Sequence, residues 1–126
     1  MSQSLPKPTD AELGILQVLW NTGAATVKQV QDKLGNDTGY TTVLKFLQIM
    51  TEKGLVRRDE SQRAHVYRAT LSEDETQQQL VSGLLKRAFG GSTSKLVLQA
   101  LASKKASSGE LAEIRRLIEK LSKEKS

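Results

Sequence analysis

The order of its periodic segments is the strongest constraint on what this chain can fold into. Three segments place apolar residues at helical spacing, and they run from Asp10 to about Trp20, from Val27 to Leu34 and from about Tyr40 to Lys53. Two short segments, 55–59 and 64–68, then alternate roughly with a period of two on either side of a polar turn. The sequence therefore predicts three helices followed by a two-stranded ribbon.

Four predicted helices begin at a capping box, in which a Ser or Thr is followed three residues later by Glu or Gln. These pairs are Thr9–Glu12, Thr26–Gln29, Ser72–Glu75 and Ser107–Glu110. Beyond residue 71 the pattern predicts helices only: one from Ser72 to about Phe89, a short one from Ser94 to Ala102, and a last one after Ser107 whose Lys/Glu tail frays.

The second and third helices are separated only by the turn from Gly35 to Thr38. Three helices and a ribbon in this order are typical of a winged helix-turn-helix, whose third helix lies in the major groove of DNA. We therefore predict a mainly α-helical protein. A winged helix-turn-helix domain with a β-ribbon wing occupies residues 1–71, and an α-helical dimerisation domain occupies residues 72–126.

The positive charge of the chain is unevenly distributed. The 126 residues carry a formal net charge of +5, from 19 basic and 14 acidic side chains. Residues 38–71 hold six basic and three acidic side chains, whereas residues 1–37 hold three basic and four acidic ones. The remaining segment, 72–126, has a balance of +3. The third helix and the ribbon thus concentrate charge where a phosphate backbone would lie.

The third helix has one predicted core face, formed by Val43, Phe46, Leu47 and Met50. Its other side is polar and weakly basic, and Ile49 also leans towards that side. Short Thr side chains near its start allow close approach to DNA, where their hydroxyls bond phosphate and their methyls touch thymine methyls. A lysine opens the second helix and an arginine lies near the tip of the ribbon, and both are placed for phosphate contacts. The predicted DNA-contacting residues are Lys28, Tyr40, Thr41, Thr42, Lys45, Gln48 and Arg63.

Two alternatives stay open for the charged residues. Lys45 and Gln48 also fit an ordinary solvated helix face. Arg57, Arg58 and Arg68 fit either the solvent side of the ribbon or a set of phosphate anchors. A second hypothesis for the whole domain is a winged-helix protein-interaction module without sequence-specific DNA binding, which predicts a less basic wing.

The composition excludes several classes of function. The chain has no cysteine, which removes disulfides, thiol nucleophiles and thiolate metal sites. Its single histidine, His65, is better explained by packing or hydrogen bonding than by metal ligation. Because no glycine-rich phosphate loop or nucleophile motif is present either, we predict no catalytic residues, no metal and no cofactor. The absence of a long apolar run and the polar segment 1–8 predict a cytoplasmic protein without membrane insertion.

The last two helices carry more apolar residues than so short a unit can bury alone. Packing within the chain is one solution, but nothing else in the sequence offers an obvious cover. A symmetric homodimer is simpler, and it supplies two recognition helices for two half-sites. The predicted dimerisation residues are Leu96, Val97, Leu101, Leu111, Ile114, Leu117, Ile118 and Leu121.

The combined spacing of these segments resembles the BlaI/MecI penicillinase-repressor family, to which copper-responsive CopY repressors are related. The segments that carry the resemblance are 8–13, 18–20, 25–27, 40–44, 52–56 and 63–67, with further matches at 89–91 and 110–111. The resemblance implies a dimeric transcriptional repressor of palindromic operators, held together by interlocking C-terminal helices.

This sequence departs from the family pattern at four places. The resemblance implies a membrane sensor-protease pathway that leads to cleavage at an Asn-Phe pair, but Gln99-Ala100 stands there instead. The C-terminal cysteine cluster of the copper-responsive relatives is absent. Ile49 replaces an arginine that many members carry in the recognition helix, and Gln62 replaces a common turn glycine. Because Ile49 and Gln62 lie in the recognition helix and the wing turn, we expect the operator sequence to differ from those of other family members.

Overall fold

The computed structural model describes residues 6–35, 37–103 and 106–125. Within them the chain forms six helices and a three-stranded antiparallel sheet, which confirms the mainly α-helical winged-helix prediction. The elements are α1 (Asp10–Thr22), β1 (Ala25–Thr26), α2 (Val27–Leu34), α3 (Tyr40–Lys53), β2 (Val56–Asp59), β3 (Val66–Ala69), α4 (Glu73–Phe89), α5 (Thr93–Ser103) and α6 (Ser108–Lys125). Of the predicted features, Asn36 in the turn before α3 and residues 1–5 of the polar N-terminus lie outside the described residues.

The capping boxes form as the sequence predicts. At the start of α1, the Glu12 N–H donates to Thr9 Oγ1 at 3.2 Å and the Thr9 N–H donates to Glu12 Oε1 at 2.9 Å. The pairs before α2, α4 and α6 make the same two reciprocal bonds. At the other end of α3, Gly54 adopts φ 85° and ψ 9°, a left-handed C-cap that strongly favours glycine.

The sheet has the order β1-β3-β2, so β3 is its central strand. Tyr67 of β3 lies opposite Arg58 of β2 and Ala25 of β1. The ribbon was predicted, whereas β1 was not, because two residues are too few to show alternation. By pairing with β3, strand β1 connects the wing to the segment between α1 and α2, and it thereby holds the wing against the helices.

The core lies between α1, α2, α3 and the sheet. At the edge of this core, the Trp20 indole N–H donates to the Leu71 carbonyl oxygen at 3.0 Å, and the Trp20 ring packs against the core. Phe46, predicted as core, is only partly buried at the margin. The buried apolar residues are Ile15, Leu16, Leu19, Ala25, Val27, Val30, Val43, Leu47, Met50, Leu55, Val56 and Tyr67.

The chain divides into two compact units, with the boundary between Ser82 and Gly83, inside α4. The first contains the winged helix and the start of α4, and the second contains the end of α4 with α5 and α6. The predicted domain limits, 1–71 and 72–126, stay a prediction. None of the described helices is both long and apolar enough to span a membrane.

A buried ion pair connects the start of α1 to the end of α3. Glu12 is 2% exposed, and its second carboxylate oxygen accepts a hydrogen bond from Lys53 Nζ at 2.8 Å. Burial raises the pKa of Glu12, but the hydrogen bonds from Lys53 and the Thr9 N–H, together with the Lys53 charge, lower it by more, so the pKa lies below its ordinary value of 4.5. The pair fixes α3 against α1.

Replacing Lys53 with Met should lower the free energy of unfolding by about 2 kcal/mol, because it leaves a buried carboxylate without its partner. This is less than a fully buried pair would give, since the Lys53 side chain is 33% exposed. Lys28→Met is the matched control, because it breaks the exposed 3.2 Å ion pair with Asp32 and should cost at most about 0.5 kcal/mol. Urea denaturation of the three chains measures the difference.

The contribution of this pair should also depend on pH. Because the pKa of Glu12 is lowered in the folded chain, the stabilisation is fully present above pH 4.5 and is lost as the pH falls through the lowered folded pKa.

Equal losses of stability in Lys53→Met and Lys28→Met at neutral pH would contradict a special role for the buried pair.

Candidate nucleic-acid interface

Helix α3 has one buried face and one open face. Val43, Leu47 and Met50 are 0% exposed and fix the helix on the core. On the other side Thr41, Thr42, Lys45 and Gln48 are exposed, and Tyr40 is 49% exposed at the first turn. The structure therefore places five predicted DNA-contacting residues on the solvent side of one helix. They are Tyr40, Thr41, Thr42, Lys45 and Gln48.

The N-terminus of α3 differs from those of the other described helices. A Ser or Thr side chain accepts a backbone N–H at the start of α1, α2, α4, α5 and α6. At α3 the N-cap is Gly39, and no side chain of a described residue caps the helix. The positive end of the helix dipole thus lies beside exposed Thr41 and Thr42 without a capping side chain, an arrangement that favours a phosphate oxygen.

The wing places two arginines directly opposite each other. The register pairs Arg57 of β2 with Arg68 of β3, and alternation puts both on the face opposite Tyr67. Like charges at paired positions destabilise a sheet unless an anion lies near them. The Asp59 carboxylate accepts the Ser61 N–H at 2.9 Å, and the charge of Arg68 makes a smaller contribution to lowering the pKa of Asp59. That hydrogen bond is the main reason that the pKa of Asp59 is lowered, and it fixes the start of the wing turn.

Not every basic residue of this region is available to a partner. Lys53 is engaged by Glu12, and Arg58 Nη2 lies 3.0 Å from Glu60 Oε1. Within the described part of the chain, Lys45, Arg57 and Arg63 have no ion-pair partner. The unpaired positive charges of residues 38–71 therefore lie on α3, on the wing face that carries Arg57, and in the wing turn.

The remaining predicted contacts lie at the edges of this surface. Arg63 is exposed in the wing turn, which agrees with its predicted position near the tip. Lys28 is exposed at the start of α2, but its ammonium lies 3.2 Å from Asp32, an exposed partner that screens it only weakly. Sequence reasoning left Arg57 and Arg68 undecided. Their direct pairing could be read only from the strand register.

An apolar cleft of about 350 Å³ opens on the exposed side of α3, lined by Thr41, Thr42, Lys45, Phe46 and Ile49. Phe46 and Ile49 are partly exposed there, whereas Val43 and Leu47 on the adjacent face of the helix are buried. Among residues 6–35, 37–103 and 106–125, no three acidic or histidine side chains are grouped closely enough to hold a metal ion.

The second unit exposes many apolar side chains within the single chain. No described residue of α5 or α6 is buried. Of the predicted dimerisation residues, Leu96, Leu101 and Ile114 are partly buried, while the other five are 36–55% exposed. The exposed five are Val97, Leu111, Leu117, Ile118 and Leu121. Leu98, which the prediction omitted, is 65% exposed.

Three comparisons place this arrangement among known proteins. A sequence model of the family described as penicillinase repressor matches residues 8–120. A penicillinase repressor from Bacillus licheniformis is 23% identical over 119 residues, which cover 93% of this chain and 93% of that protein. A transcriptional regulator BlaI from Mycobacterium tuberculosis is 38% identical over 79 residues, which cover 60% of this chain and 54% of that protein.

A solved structure supports the fold independently. A MarR family protein from Bacillus stearothermophilus superposes with a TM-score of 0.53 at 20% sequence identity, covering 94% of this chain and 76% of that one. At this identity the likeness shows the winged-helix fold alone. The family match, which spans nearly the whole sequence, shows more: this chain belongs to the penicillinase-repressor family, a family of DNA-binding transcriptional repressors and not of enzymes.

Proposed function

We propose that this repressor is a cytoplasmic homodimer that recognises a palindromic operator by placing α3 of each protomer in the major groove. The observation that carries the proposal is the composition of the open face of α3. That face combines short Thr side chains, an unpaired lysine and an uncapped helix start, all next to a basic wing.

The contacts divide by position along α3. At its start, the free N–H groups and the hydroxyls of Thr41 and Thr42 would hold a phosphate and set the depth of the helix. Lys45 and Gln48 follow one and two turns later, where an amine and an amide reach base edges. Gln48 can bond both polar groups of adenine, whereas Lys45 suits guanine or a phosphate.

The wing would add contacts that carry no sequence information. Arg57 and Arg68 point from one face of the ribbon, and Arg63 extends from its turn, so all three suit the phosphate backbone beside the groove. A bound phosphate would also relieve the repulsion between Arg57 and Arg68. Lys28, at the start of α2, would contact the backbone on the other side of α3 once it leaves Asp32.

The two-fold symmetry of a dimer predicts a palindromic operator. Two recognition helices related by a two-fold axis read two inverted half-sites about one helical turn apart. A footprinting experiment on the promoter region of its own gene should show one protected palindrome. Protection without sequence preference, or none at all, would contradict the proposal and favour the protein-interaction alternative.

Replacing Lys45 with Ala should weaken operator binding about tenfold and reduce the salt slope of the dimer by about two, because one phosphate or base contact is lost per protomer. The melting temperature should stay unchanged, since Lys45 is exposed and alanine is a good helix former. Lys120→Ala is the matched control, because it removes the same charge from α6. A chain that melts earlier yet keeps its affinity would show that Lys45 is structural.

The route of release from DNA is a separate proposal. Gln99 and Ala100 replace the Asn-Phe pair at which the resemblance places cleavage by a sensor-protease pathway, and they lie within the regular helix α5. We propose that release does not depend on a cut at this position. Intact mass measured before and after exposure of the cells to a β-lactam should be the same. A fragment ending near Gln99 would contradict this.

A further inference from the structure

An apolar residue occupies the middle of the face that α3 offers to DNA. Thr42, Lys45, Phe46 and Ile49 follow the spacing i, i+3, i+4, i+7, which aligns them along one side of the helix. Ile49 lies one turn beyond Lys45 and is partly exposed in the cleft described above. The side chain has no donor or acceptor, so it cannot form the hydrogen bonds by which most base edges are recognised.

The major groove limits what an isoleucine can contact favourably. Of the four bases, only thymine presents a methyl group at the edge of that groove, whereas guanine, adenine and cytosine are distinguished there by their hydrogen-bonding groups. A polar edge held against Ile49 and Phe46 would lose water without gaining a hydrogen bond. A methyl group would contact the apolar lining of the cleft without that cost. The cation on the rim of the cleft, Lys45, favours DNA as the occupant over an apolar peptide.

We propose that Ile49, supported by Phe46 and the Thr42 methyl group, determines operator specificity by binding a thymine C5-methyl group in each half-site. The inference rests on the proposed operator recognition and names one base that it reads. By symmetry, a dimer contacts two equivalent thymines.

The test removes only the methyl group, by substituting deoxyuridine for thymidine. An operator is first selected from random duplexes with the full-length chain, and symmetric thymine pairs in the footprint are then replaced one pair at a time. Burial of one methyl group is worth about fourfold in affinity, so one pair should weaken binding about 15-fold. Replacing thymines outside the footprint controls for changes in DNA stacking.

Two variants assign the effect to a side chain. Ile49→Ala should bind the thymine and deoxyuridine operators equally well. Gln48→Ala should bind both more weakly but keep the 15-fold ratio, because Gln48 is a neighbour with a polar contact. Circular dichroism of both variants verifies that α3 is folded.

Each failure has a distinct meaning. If the chain selects a palindrome but no deoxyuridine pair weakens binding, the inference is wrong and the proposed function stands. A ratio that persists in Ile49→Ala assigns the methyl contact to another residue and overturns the role of Ile49. If the selection yields no preferred sequence at all, the proposed function itself is wrong, and the inference is wrong with it.

Discussion

Raising the salt concentration from about 50 to about 200 mM should weaken operator binding by roughly 10⁴-fold. Within the described residues, Lys45, Arg57, Arg63 and Arg68 of each protomer form no close ion pair, which gives a dimer eight basic side chains near phosphate. Lys28 is left out of this count because it must first give up its ion pair with Asp32. Each neutralised phosphate of duplex DNA releases about 0.9 of a counterion, so the logarithm of the affinity should fall with a slope of roughly −7 against the logarithm of salt. Fluorescence anisotropy over a salt series measures that slope.

The ion pairs of the structure sharpen this expectation. Lys53 and Arg58 have acidic partners, so they should add little to the slope. Arg57→Ala should therefore lower it by about two per dimer, whereas Arg58→Ala should change it much less. The two residues are adjacent in β2 and carry the same charge. Equal effects of the two substitutions would mean that the wing binds DNA through a different face, and a slope near zero would favour the protein-interaction module.

The helices were predictable because their signals are local. A capping box spans four residues, and the apolar spacing of α2 and α3 repeats within a few turns, so their bounds match the structure closely. In α1 the predicted apolar stripe comprised Leu13, Leu16, Val18, Leu19 and Trp20, so it passed over Ile15, which is buried in the structure. The end of α6 is another difference: Lys123 and Lys125 suit a helix C-terminus, and the helix continues to Lys125 where fraying was predicted.

The features that escaped prediction all depend on distant residues. The partner of Glu12 is 41 positions away, so nothing local distinguishes Lys53 from the surface lysines. β1 pairs with β3 across the whole of α2 and α3, and the opposition of Arg57 and Arg68 depends on a register that the wing turn sets. Net charge for a segment could be read from the sequence. The sequence could not show which of these charged side chains face a binding partner.

Composition of the open surface of α3, by contrast, followed from periodicity alone. The spacing that buries Val43, Leu47 and Met50 places Lys45 and Gln48 outside, and the structure agrees. Phe46 lies between the two faces, so the pattern assigned it to the core while the structure leaves it partly exposed. That intermediate position is what gives the cleft its apolar floor beside Ile49.

Replacing Leu117 with Lys should convert the protein from a dimer to a monomer and weaken operator binding by roughly 10²- to 10⁴-fold. Leu117 is 55% exposed in the single chain and lies on the same side of α6 as Ile114 and Leu121. In a two-fold interface the substitution places two ammonium groups in an apolar contact, where each loses its hydration. Light scattering should report 13.9 kDa instead of about 28 kDa.

Glu119→Gln is the matched control for this experiment. It changes the charge by the same amount two positions along α6, but about 160° around the helix from Leu117, so it should leave the dimer and its DNA affinity intact. Leucine and lysine have similar helix propensities, so α6 should persist in Leu117→Lys, and circular dichroism verifies this. A Leu117→Lys chain that stays dimeric would place the interface elsewhere. A monomer that keeps full operator affinity would instead show that one recognition helix is enough, which contradicts the palindromic mode of binding.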